Sequence, residues 1–219
     1  MATRAEQTAG GKRRYHSPRR QEQAQATREA ILDAAERLFL RDGYVATSMA
    51  AIAEEAGVGL KTVYVAFETK SGLLRALWHR TLRGGREETP VAEQEWFREV
   101  VEEADPERSL RLNARNSRRV KGRVAPLGEV IRSAAPADPD VAALAATIWN
   151  QFYENQLDVV KAIDGRKGLK AGLSAERAAD MLWTLNHPSV YSLLLDERGW
   201  SPEEYERWLA AITSEQLLG

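Results

Sequence analysis

Apolar residues recur at helical spacing along nearly the whole chain. Ala30, Ile31, Ala34, Ala35, Leu38 and Phe39 fall at i, i+1, i+4, i+5, i+8 and i+9, one stripe on a helix. Thr27 is placed to cap its start. Gly43, after Arg41 and Asp42, is placed to stop it, because glycine reaches the left-handed conformation cheaply. No segment carries the sustained polar–apolar alternation of a half-buried sheet. The pattern predicts an all-α fold.

Punctuation divides the remainder. One helix is expected over residues 70–82, ending at Gly84-Gly85, and another over the acidic stretch 93–103. Pro106 opens a helix through Arg115 and Arg119 to Gly122, and Pro126 marks the start of a separate one through Val130 and Ile131. Asp138 as N-cap with Pro139 behind it begins a long helix through Val160. After a Gly/Lys/Arg-rich loop over 165–172, Ser174 caps a helix reaching about Leu195, with a kink expected at Pro188. Ser201-Pro202-Glu203-Glu204 reads as a capping box, and the final helix runs to about Leu217.

Residues 47–67 carry the most specific pattern, a helix-turn-helix. Two short helices that cross steeply need a small residue at the crossing, which Ala53 supplies. Their tight turn needs a residue tolerant of positive φ, which Gly57 supplies. Ile52, Ala56, Val58 and Val63 fill the wedge, and Thr47 or Ser48 caps the first helix. Lys61, Thr62 and Tyr64 remain outward on the second, with side chains suited to hydrogen bonding or stacking on DNA.

Charge adds a local feature to a chain whose formal net charge is −1. Lys12, Arg13, Arg14, Arg19 and Arg20 lie in a polar stretch with few acids, which reads as a disordered basic arm over 1–25 that seeks phosphate. The 43% hydrophobic content of the 219 residues is enough for a core. The absence of cysteine excludes thiol catalysis and Cys-based zinc sites and fits a cytoplasmic protein. No apolar run suits a membrane span or a secretory signal. No Gly-rich phosphate loop or His-Glu-x-x-His motif supports an enzyme, and no cofactor or metal is expected.

The run from Thr27 to about Trp78 resembles the N-terminal domain of the TetR family of transcriptional regulators. The residues that carry the resemblance are the Ala/Phe stripe, Gly43-Tyr44, Thr47-Ser48, Ile52-Ala53, Ala56-Gly57-Val58, Val63-Tyr64, Phe67, Lys70 and Leu73-Leu74. The resemblance implies a three-helix helix-turn-helix DNA-binding domain (26–69) followed by a larger helical ligand-binding and dimerisation domain (70–219). It implies a homodimer on a double-stranded, palindromic operator. It puts Thr47 and Lys70 at phosphate-contacting positions, Tyr64 against the backbone, and Lys61 and Thr62 at bases. Many members carry His or Tyr just before the Phe that ends the recognition helix, where this chain has Ala66.

In the second half, Trp149, Phe152 and Tyr153 lie together on one predicted helix, and Trp183, Asn186, His187 and Tyr191 at i, i+3, i+4 and i+8 on another. This set describes either an apolar cavity with few polar groups or a filled core with one satisfied histidine. The resemblance favours a small-molecule effector site. The basic run Arg108, Arg111, Arg115, Arg118, Arg119, Lys121 and Arg123 reads as a solvated face paired with the acids of 99–107, or as a seat for an anion. Ala178, Leu182, Leu185, Leu193 and Leu194, with Trp208, Leu209, Ile212 and Leu217, give the last two helices an apolar face for the dimer. The expected function is a repressor released by a small apolar or aromatic effector. The alternatives are a constitutive, ligand-free regulator and a small-molecule-handling helical enzyme.

Overall fold

A computed structural model of the chain describes residues 18–84 and 91–219, within which ten α-helices follow one another. Helix α1, Pro18–Asp42, buries the expected stripe, with Ile31, Ala34, Ala35 and Phe39 fully enclosed. It begins at Pro18 rather than at Thr27, which lies inside it. Residues 19–26 are exposed, and their Arg, Gln, Glu and Ala are good helix formers that extend the helix without packing. Arg19 and Arg20 of the expected arm are therefore helical, whereas Arg13 and Arg14 lie outside the described residues.

Gly43 at φ 80 ends α1 as expected. Helix α2, Met49–Glu55, is capped by Ser48, whose hydroxyl accepts from Ala51 N. Gly57 at φ 67 makes the turn into α3, Leu60–Phe67. Helix α4, Lys70–Arg83, starts at Thr69, whose hydroxyl accepts from Gly72 N. Ile52, Ala53, Val63 and Phe67 close the small domain on Ile31, Leu38, Leu74 and Trp78. The same apolar cluster continues into Leu127 and Ile131 of α6 (Pro106–Ala134) and Leu144 and Ile148 of α7 (Pro139–Gly165). The two halves thus share one core along α4.

Helix α5, Glu95–Glu102, follows a 3₁₀ turn at Val91–Glu93. Helix α6 corrects one expectation: the break expected at Gly122 and Pro126 does not occur, and 29 residues form one helix. Pro126 points to solvent, while Val124, Ala125, Leu127 and Gly128 around it are buried. Packing of both flanks outweighs the missing donor. Asp138 caps α7 by accepting from Asp140 N and Val141 N.

The helix expected from Ser174 to about Leu195 is divided instead of kinked. Helix α8, Ala175–Leu185, stops at Asn186; α9, Pro188–Ser192, restarts with His187 as its N-cap and runs into a π-helical turn, Leu193–Glu197. Proline is at ease as a first helical residue, so the chain restarts there. Helix α10, Pro202–Leu217, opens on the expected capping box. A second core joins Phe97, Val100, Leu110, Val160, Ile163 and Leu182, and a third joins Ala114, Ala125, Tyr191, Tyr205 and Leu209. Ala178, Leu182, Leu209 and Leu217 are buried within the chain, so they do not line an open dimer face; Leu193 is exposed. Among the described residues no helix is long and apolar enough to cross a membrane.

Candidate functional site

The first candidate site is the outer face of α3. Val63 and Phe67 face inward, and this leaves Lys61, Thr62 and Tyr64 in solvent, with Tyr64 48% exposed. Ser48 is exposed beside them at the start of α2. Val65, 76% exposed, is an apolar side chain on the same short helix that sequence reasoning did not single out.

Two expected phosphate contacts are placed differently. The Thr47 hydroxyl is buried and donates to Gly43 O at 2.8 Å, so it fixes the loop after α1 rather than facing outward. Lys70 Nζ donates to Tyr44 O at 2.8 Å and Thr47 O at 2.9 Å and lies 4.2 Å from the centroid of the Tyr44 ring. Partial burial lowers its pKa from the ordinary lysine value. Both residues hold the entry to α2. An arginine supports the last turn of α3: Arg28 of α1 donates to Ala66 O at 2.8 Å and lies 4.1 Å over the Phe67 ring. It ties the last turn of α3 to α1 at Ala66. An open groove between α1 and α3 is lined by Arg20, Thr27, Arg28, Thr62, Val65 and Ala66.

The second candidate site is an aromatic cluster around His187. Its ring lies 5.2 Å from Trp149, 6.4 Å from Phe152 and 4.9 Å from Trp183, centroid to centroid. His187 Nδ1 accepts from Ser189 N and so caps α9. Burial, then the cations Lys121 and Arg132, lower its pKa below the ordinary histidine value, which keeps the ring neutral near pH 7. Asn186 is buried in a polar network: its Oδ1 accepts from Lys121 Nζ at 2.5 Å and Tyr205 Oη at 3.3 Å, and its Nδ2 donates to Gln156 Oε1 at 2.9 Å.

Two expected members stand apart from this ring cluster. Tyr153 packs with the second core, and Tyr191 stands edge-on to Tyr205 at 4.9 Å in the third. Tyr153 is one residue from Phe152, so the helix turns it about 100° away.

The cleft beside the ring cluster, lined by Ala125, Gly128, Trp149, Pro188, Ser189 and Ser192 among others, encloses only about 10 Å³, room for a single water. Trp149 also meets Trp78 of α4 edge-on at 6.4 Å, so the cluster touches the helix that the two halves share.

The basic run of α6 does not form one solvated face. Arg108, Arg111 and Arg115 pair with Glu103, Glu107 and Glu99 as a solvated face would, but Arg118 reaches Glu203 and Glu206 of α10. Lys121 is 3% exposed. Its register gave the signal: Leu110, Ala114, Ser117, Lys121 and Gly128 share one inward stripe.

Comparison with known proteins bears on both sites. Residues 31–77 match the sequence profile of bacterial regulatory proteins of the tetR family. The HTH-type transcriptional regulator TtgR of Pseudomonas putida is 46% identical over 59 residues, and AcrR of Shigella flexneri is 44% identical over 57. Those stretches span 27% and 26% of this chain and 28% and 26% of the two relatives, so the likeness to curated relatives is confined to about a quarter of each protein. The whole chain is similar in fold to NalD, the secondary repressor of the MexAB-OprM multidrug efflux pump in Pseudomonas aeruginosa. Its TM-score is 0.66 at 23% identity, over 89% of this chain and 98% of NalD. A SmeT–triclosan complex matches with a TM-score of 0.69 at 19% identity, over 89% and 92% of the two chains. A regulator from Saccharomonospora viridis in complex with choline matches at 0.67 and 17% identity, over 89% and 99%. The N-terminal segment is thus similar to that of the tetR family of bacterial regulatory proteins, and the helical architecture is similar to that of NalD and SmeT.

Proposed function

We propose that the protein is a sequence-specific DNA-binding transcriptional repressor that a small apolar or aromatic effector releases from a palindromic operator. The observation that carries the DNA-binding part is the free outer face of α3, where Lys61, Thr62 and Tyr64 stand in solvent on a helix braced from behind by Arg28. Exposed donors on a short, rigidly seated helix suit reading in the major groove. A homodimer would present two such helices to successive grooves, about 34–36 Å apart. Its contact surface would draw on Leu193, Leu194, Trp208 and Ile212 rather than on the buried leucines.

The effector part rests on the aromatic cluster and its contact with α4. A ligand that moved Trp149 or His187 would press on Trp78 and so change the angle between the two halves. The efflux-pump repressor NalD and the triclosan and choline complexes are consistent with this reading.

The test is selection of duplexes from a random pool by the full chain, followed by titration of the selected site against scrambled DNA at several salt concentrations. A selected palindrome bound at least 10³-fold more tightly than scrambled DNA is the expected result. Equal affinity for both would defeat the proposal. The small cleft beside the cluster favours one second reading, a constitutive regulator with no effector. A thermal-shift screen with aromatic compounds separates the two, because only a binding site yields stabilisation that rises with ligand concentration.

A further inference from the structure

The cluster around His187 contains a group that a plain hydrophobic core would not hold. Lys121 Nζ sits in the interior, and no carboxylate among the described residues lies within ion-pair reach of it. One of its three protons is used on Asn186 Oδ1, and the aromatic faces of Phe152 and Tyr205 stand 5.7 Å from the nitrogen. A lone ammonium in such a place is poorly compensated, since neutral amides and rings replace only part of its hydration. A second donor is also free: Trp183 Nε1 is buried with no hydrogen-bond partner. Two buried donors with unused capacity at the edge of an aromatic cluster describe the complement of an anion on a ring.

We infer that the effector of this protein is a small aromatic carboxylate, its ring taking the place of His187 among Trp149, Phe152 and Trp183 and its carboxylate accepting from Lys121. This rests on the effector reading above and adds the charge of the ligand. Asn186 is held by Gln156 and Tyr205 as well as by Lys121, so it stays in place and leaves the two remaining ammonium protons for the carboxylate. Entry has a route in the fold. Lys121, Ala125, Gly128 and Arg132 lie at i, i+4, i+7 and i+11 on one face of α6, and the last three line the shallow cleft beside Trp149 and Pro188. His187 is at the break between α8 and the five-residue α9, whose Pro188, Ser189 and Ser192 line the same cleft.

Burial pushes the Lys121 pKa down to about 7, so an arriving anion raises it again and takes up a proton. The other charged groups around this interior are paired: Glu129 and Arg132, which line the cleft, pair with each other. Arg118 on the same helix is held by Glu203 and Glu206 of α10. Helix α9 brings Tyr191, preceded by the His187 cap; α10 brings Tyr205; α7 and α8 bring the uncharged Phe152, Gln156 and, at its end, Asn186. His187 is depressed by burial, by Lys121 and by Arg132, so its displacement releases that depression too, and the lysine signal itself has to be read.

The test compares 1-naphthoate with its neutral isostere 1-naphthamide on the full chain by calorimetry at pH 6.5, for wild type and Lys121→Met. The expected result is at least 30-fold tighter binding of the carboxylate to wild type and a ratio within 3-fold in the variant. A second measurement needs no variant: in ¹³C-lysine-labelled wild type, the titration midpoint of the buried lysine should rise by at least one pH unit with 1-naphthoate and stay in place with 1-naphthamide. Binding of the amide alone, a carboxylate preference that survives Lys121→Met, or an unmoved midpoint overturns the inference. Binding of the amide alone keeps the effector reading, whereas binding of neither compound tells against both.

Discussion

The Tyr44 hydroxyl donates to Asp138 Oδ2 at 2.7 Å, and this bond ties the loop after α1 to the N-cap of α7. Ser71 at the start of α4 reaches Asp140 in the same way at 3.2 Å. The N-terminal helices are therefore fastened to the larger helical half by side chains as well as by the shared apolar core. The bond makes Asp138 more acidic: the hydrogen bond from Tyr44 is the largest cause holding its pKa below the ordinary carboxylate value.

Tyr44→Phe should lower stability at pH 7 by about 1 kcal/mol, the net worth of one hydrogen bond, and loosen the angle between the halves. The pH dependence has a definite sign. A carboxylate whose folded pKa is depressed stabilises the fold above its unfolded pKa, about 3.9, and the contribution is lost as pH falls through the folded value. Urea unfolding at pH 7 and pH 3 should show a gap between wild type and variant that narrows in acid. A gap of constant size would assign the effect to packing alone.

Lys70→Ala removes hydrogen bonds to Tyr44 O and Thr47 O and uncovers the Tyr44 ring. The expected loss of stability is about 1–2 kcal/mol. DNA affinity should fall with it, because α2 loses its anchor. Lys70→Arg, which keeps the charge but not the compact ammonium, should restore neither stability nor DNA affinity in full. Full recovery of both by arginine would show that charge toward phosphate is what matters at this position.

The sequence made the local geometry legible wherever a residue has one dominant physical role. Gly43 and Gly57 stand at positive φ, Ser48, Asp138 and Ser201 cap helices, and the Ala/Phe stripe of α1 is buried, each as its type and spacing predict. It was less legible where a residue has two competing roles. Thr47 and Lys70 are polar residues at positions that suit phosphate, yet backbone carbonyls in the next loop claim them. Pro126 favours a break, but the buried residues on both sides hold α6 together. Spacing did bring Trp149, Phe152, Trp183 and His187 together, but it gave no measure of how completely they fill their space.

Lys61→Ala tests which exposed side chain on α3 reads bases. Lys61 stands in solvent on that short helix, which leaves it free to approach a base edge. Against single-base variants of the selected site, the preference at one position should weaken by about 1–3 kcal/mol, the worth of one good base contact. Affinity for scrambled DNA should change much less. A uniform loss over all sequences, with a shallower salt slope, would make Lys61 a phosphate contact instead.

Gly128→Ala separates stability from ligand access in the larger half. Gly128 lies inside α6, where a glycine costs about 0.5–1 kcal/mol relative to alanine. A Cβ there would meet Trp149 Cη2 and Trp78 Cζ3 at 3.8 Å each, ordinary van der Waals contact. The variant should therefore be more stable by about 0.5–1 kcal/mol in urea unfolding. The added methyl also lies on the wall of the cleft beside Trp149 and Pro188 and between the two indoles that join the cluster to α4. Effector binding should weaken as the methyl closes the cleft, and operator affinity without effector should stay at the wild-type level. If the helix gains stability and the effector response is unchanged, ligands enter by another path and the indole pair carries no signal.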